Sequence, residues 1–211
     1  MPLVKSPSKI FAVMFVIIFV FIIYSFFALK PSFVLIASVS KYENIPSVSE
    51  IFYMRLKYFM SCDDIDEGVP PIEFILNALG DDSVDKNKVF RTADTLVDIG
   101  CDLNEHSAIG LTPLQGAVVI SDPLATEYLL NRGADPYLEA IDGTLTLIET
   151  TPITEYTGLN SFELSKNQIV RLTGDTRRNE EYSKALKVAD LLEQNKNIKS
   201  KGIGRVNAPL L

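Results

Sequence analysis

"GLTPLQGAVVISDPLATEYLLNRGAD", residues 110–135, contains two helix starts and one helix stop. Thr112 can cap a helix whose first turn accepts Pro113, and Leu114, Ala117 and Val118 give that helix an apolar face. Asp122-Pro123 repeats the start signal for a second helix carrying Leu124, Tyr128, Leu129 and Leu130. Gly133 then offers a backbone free to take positive φ, Asp135 a short side chain that bonds nearby amides, and Pro136 a forced extension. Two short helices, a stop and a sideways excursion form one unit. Such a unit cannot bury its own apolar faces, so others must flank it.

The flanking sequence supplies them. "LVDIGCDLN" (96–104) matches "LLNRGADPY" (129–137), which sets Gly100 and Gly133 33 residues apart. Ahead of it "PPIEFILNAL" (70–79) provides a first helix, with Pro71 where Pro113 stands, and Asp85 to Asp98 provides a second. Earlier still, "YFMSCDDID" (58–66) lines up Cys62 with Gly100. Ser47-Val48-Ser49-Glu50 reads as a capping box opening a helix with Ile51, Phe52, Met54, Leu56 and Phe59. Downstream, "GLNSFELSK" (158–166) and "ALKVADLLEQNKN" (185–197) make a degraded last pair. The Thr-rich insertion 143–157 reads as a long finger or β-hairpin, and a second insertion, 171–181, separates the last two helices.

The N-terminal end has a different character. Ile10 to Leu29 is a run of twenty residues without a charge, long enough as a helix to span about 30 Å of hydrocarbon. A cleaved signal peptide has a shorter core, and the nearest small-residue site, Ser38-Val39-Ser40, lies well beyond this one. The reading is an uncleaved anchor, with Lys5 and Lys9 holding the N-terminus in the cytoplasm. Residues 1–30 are thus a cytoplasmic stub and transmembrane anchor, 31–46 a linker, 47–197 the repeat domain and 198–211 a basic C-terminal tail.

Charge and residue inventory narrow the chemistry. Residues 61–105 hold twelve acids against three bases, and 106–165 eight against one, whereas 166–211 reverse the sign. A body this acidic argues against nucleic-acid binding, which relies on Lys and Arg. His106 is the only histidine, and no nucleophile motif accompanies it. "CDDIDEG" (62–68) fails as a calcium loop, because the position that needs a bidentate acid falls on Ile75 or Phe74. "KGIGR" (201–205) has no following helix to cradle a phosphate. Cys62 and Cys101 occupy nearly equivalent places in neighbouring units. Packed helices lie about 8–10 Å apart, more than the roughly 4.4–6.8 Å a disulfide wants, so two free thiols are favoured although their one-residue offset narrows the gap.

Thr112-Pro113-Leu114-Gln115-Gly116-Ala117 resembles the T-P-L-H-x-A signature of the ankyrin repeat, with Gln115 where that signature has histidine. Leu129 to Asp135 resembles the ending of the same repeat. The resemblance covers 47–197 and is strongest over 96–135. It implies an all-α fold, a short ankyrin-repeat solenoid of about three to four units after the single transmembrane helix. It also implies protein binding through fingers and first helices. The candidate partner-binding residues are Asp64, Asp66, Glu67, Glu105, His106, Gln115, Tyr137, Glu139, Ile141 and Asp142. No catalytic residue, cofactor, metal, nucleic acid or small-molecule substrate is expected.

The layout resembles that of membrane-anchored bacterial ankyrin immunity proteins. On that likeness the chain is a single-pass inner-membrane protein with its C-terminal domain in the periplasm. There it would neutralise a toxic secreted effector such as a phospholipase. The other readings are a scaffold or assembly factor for an envelope or secretion complex and, less well supported, an enzyme built on the Thr-rich insertion.

Overall fold

The computed structural model describes residues 7–41, 46–62, 68–143, 156–173 and 178–200, and every regular element among them is helical. In chain order these are α1 (Pro7–Phe27), α2 (Pro31–Val39), α3 (Pro46–Phe59), α4 (Pro71–Leu76), α5 (Lys86–Asp98), α6 (Pro113–Val119), α7 (Pro123–Arg132), α8 (Ser161–Leu172) and α9 (Asn179–Ser200). A 3₁₀ turn, Asn77–Gly80, extends α4.

Local chemistry sets the boundaries. Thr112 and Gln115 form a reciprocal capping box at the start of α6, and Asn160 and Glu163 form another on α8. Asp85 and Asp122 cap α5 and α7 by accepting from the free amides of the first turn. Proline sits in the first turn of α2, α4, α6 and α7, where its missing N–H costs nothing. Helix α7 ends at Gly133, whose φ of 97° is the left-handed stop foreseen from its sequence.

The helices pack as pairs: α2 with α3, α4 with α5, α6 with α7, α8 with α9. Successive pairs stack through α4 on α6, α6 on α8 and α7 on α9, while α2 and α3 both lean on α5. One core runs through the stack, from Leu35 and Leu56 through Ile72, Ile75, Leu96, Leu114 and Leu129 to Leu164 and Leu192. Between α5 and α7 the joint is partly polar. Tyr128 stacks on Phe90 at 5.4 Å and donates its hydroxyl to Asp94 at 2.6 Å, and Arg132 pairs with the same carboxylate. Burial and the Asp94 carboxylate both push the Tyr128 phenol pKa upward.

Four expectations are corrected. Among the described residues no helix is long and apolar enough to cross a membrane, so the transmembrane helix read from Ile10–Leu29 is not seen. Its C-terminal end is also drawn into the domain. Helix α1 stops at Phe27, Phe26 stacks on Phe52 at 5.8 Å, and Phe27 meets Phe59 edge-on at 5.3 Å. Arg55, almost wholly buried, donates to the carbonyls of Phe26, Phe27 and Leu29.

Second, residues 31–39 are helix and not linker: Val34, Leu35, Ala37 and Val39 are buried, and Ser38 Oγ lies 3.3 Å from Thr92 Oγ1 on α5. Third, α3 begins at Pro46, which puts Ser47 inside the helix instead of at its cap. Fourth, Cys62 and Cys101 are bonded, with Cα atoms 5.3 Å apart. Both lie on the connections that leave α3 and α5, outside the helix bodies, so helix spacing does not apply to them. The Thr-rich insertion, but for Gly143 and 156–157, lies outside the described residues, as do 174–177.

Candidate functional site: the paired fingers

The connections α5–α6 and α7–α8 lie side by side and are joined by backbone atoms. In the first, Ser107 N donates to Leu111 O at 2.8 Å and Gly110 N to Ser107 O at 2.8 Å, closing a tight loop. Ile141 N of the second donates to Gly110 O at 2.9 Å. Gly110 has φ 81°, and a Cβ there would stand 2.0 Å from the Ile141 carbonyl oxygen, so only glycine permits this approach. Asp135 N donates to the Asn104 side chain at 2.9 Å, and His106 Nε2 lies 3.1 Å from Glu139 O. Ala108 N donates to Gly68 O at 2.6 Å, which ties the preceding connection to the same row.

The structure brings together six of the residues singled out from sequence and separates one. Glu105, Glu139 and Asp142 are exposed on the two fingers, and Tyr137 and Ile141 are about half exposed beside them. Asp142 accepts from the Thr157 hydroxyl at 2.9 Å, which fixes its carboxylate at the base of the Thr-rich insertion. Tyr137 packs on Phe162 at 5.2 Å, and Lys196 reaches over that ring from α9. His106 belongs to the group through its bond to finger backbone.

Gln115 does not. It is fully buried, with its amide oxygen accepting from Thr112 N and its amide nitrogen donating to Leu138 O at 2.9 Å and Leu159 O at 3.2 Å. Each contact is internal, so Gln115 shapes the second finger and is corrected from a partner-facing residue to a positioning one. Asp64, Asp66 and Glu67 lie outside the described residues.

One acidic group was missed. Glu73, in the first turn of α4, turns its carboxyl onto α6, where Gly116 makes room: a Cβ there would meet Oε1 at 3.1 Å. Oε2 is buried and has no hydrogen-bond partner among the described residues. Burial pushes this carboxyl up to about 7 from its ordinary value of 4.5. The folded chain therefore holds this proton more tightly than the unfolded one. The resulting stabilisation is complete below the unfolded value and is lost as pH rises through about 7. Glu73→Gln is expected to stabilise the protein by on the order of 2–3 kcal/mol at pH 8 and to change little at pH 4.5, read from urea midpoints at both pH values. The only sequence signal was an acid alone among apolar residues, in register with Gln115 one unit on and next to the position of Gly116.

No family model matches the chain, and no curated protein matches it.

Proposed function

We propose that the chain is an ankyrin-type protein-binding module that holds a basic partner against its fingers. The observation that carries this reading is the acidic rim: Glu105, Glu139 and Asp142 exposed on two fingers that backbone bonds hold together. Exposed like charges on one rigid edge speed encounter with an opposite patch, and the half-exposed Tyr137 and Ile141 supply apolar contacts for it to close on. Two further features bear on where this happens. The Cys62–Cys101 bond is of a kind that persists in oxidising compartments such as the periplasm. Helix α1 is apolar on every described side, with Phe15, Phe21 and Tyr24 about 70% exposed, and offers a surface for attachment to a membrane. On this reading the protein sits at a bacterial envelope membrane and neutralises a toxic secreted effector, such as a phospholipase.

The test starts from copurification in the native cell with identification by mass spectrometry. A secreted toxin or lipase supports neutralisation; an envelope or secretion assembly component points to the scaffold reading instead. With the partner in hand, reversing Glu105, Glu139 and Asp142 to lysine together should slow association about ten-fold or more at low salt. The difference should shrink as salt screens the rim. An unchanged association rate in a folded triple variant would overturn the rim.

A further inference from the structure

At the edge of the stack away from the fingers, the α6–α7 turn and the ends of α8 and α9 line a half-open cavity of about 310 Å³. Its wall includes Ile120 and Ser121 from the turn, Arg171 from the end of α8, and Arg178, Glu181 and Lys184 from the start of α9. Three cations face one acid there, all within the basic 166–211 stretch that reverses the sign of the acidic body. The cations are not equally committed. Arg178 stands 3.8 Å from Glu181, and Lys184 2.7 Å from Glu180, both in pairs open to solvent. An exposed pair of this kind holds its partner weakly, so a dianion arriving in the cavity can recruit the Lys184 ammonium, while Arg178 adds its charge to the field. Arg171 has no ion pair or hydrogen bond among the described residues, which leaves its planar fork of donors available.

The wall is also built with some precision. Ser121 is the one non-glycine residue with positive φ among the described residues, at 56°. Its strained conformation is held by Ser121 N donating to Val118 O and Asp122 N to Ala117 O. Gln168, also on the wall, donates its amide to Val119 O and so fastens α8 to the end of α6. The cavity floor is therefore fixed on both sides.

We propose that this cavity is a binding site for a phosphate group carried by a small molecule, with Arg171 forking onto its oxygens and Arg178 and Lys184 supplying the field. A doubly charged tetrahedral group can use three cations at once, whereas a single carboxylate is satisfied by one. The volume suits a small phosphate ester. The site stands apart from the acidic fingers, so it does not depend on the reading of the rim.

The experiment is calorimetric titration of the full chain with inorganic phosphate, glycerol 3-phosphate and citrate at constant ionic strength. Saturable binding of either phosphate is expected, weakened about ten-fold or more in Arg171→Gln and unchanged in Lys166→Gln, an exposed control on α8. Circular dichroism confirms that both variants are folded. Absence of binding by both phosphates, binding of citrate alone, or equal affinity in Arg171→Gln would each overturn the proposal.

Discussion

Gly110→Ala is expected to cost on the order of 3–5 kcal/mol. Two penalties coincide there. The backbone has φ 81°, where a side chain is strained, and the new Cβ would stand 2.0 Å from the Ile141 carbonyl oxygen. That oxygen belongs to backbone, so the second finger must move away and the bond from Ile141 N to Gly110 O is lost. Gly100→Ala separates the two causes. Gly100 has φ 101°, but a Cβ there meets nothing within 4 Å, so only the conformational part remains, about 1–2 kcal/mol. Urea denaturation of both variants decides the matter: equal losses would mean that the fingers separate without cost.

Breaking the disulfide comes next. Cys62 and Cys101 are 39 residues apart, and closing a loop of that length removes chain entropy from the unfolded state worth about 4 kcal/mol. The double variant Cys62→Ser, Cys101→Ser should lose stability of that order, and reducing the native protein should lower its urea midpoint to a similar degree. The effect is global because the loop encloses α4 and α5, hence the joint between the first two helix pairs. A midpoint insensitive to reductant would show that the bond does not constrain the unfolded chain.

How far sequence could lead depended on whether the deciding interaction was local. The caps at Asp85, Thr112, Asp122 and the stop at Gly133 are settled within a few residues of themselves, and these parts were legible. Helix α2 was not. Pro31 to Val39 continues the apolar composition of the preceding run, and its identity as a packed helix rests on contacts with α3 and α5, remote in sequence. The same remoteness hid the disulfide, since residue spacing along helices said nothing about two cysteines on connections. Within the candidate site, the acids of the fingers could be read as residue types. What could not be read was the backbone bonding that holds Glu105, Glu139 and Asp142 on one edge. Gln115 shows the opposite failure: a polar residue in a repeat signature invites an outward role, yet the carbonyls of Leu138 and Leu159 already use both of its donors.

The guanidinium of Arg55 has a mechanical meaning. Through it, the carbonyls of Phe26, Phe27 and Leu29 are tied to α3 by a single side chain. A force that pulls α1 away from the stack loads the bonds to Phe26 and Phe27 together, because both leave one rigid plane, while the bond to Leu29 holds the chain just beyond the helix. Where α1 is held and the fingers are pulled, the first helix pair acts as a handle and not as a swivel. Tension applied at one end of the molecule is then delivered to the other without slack.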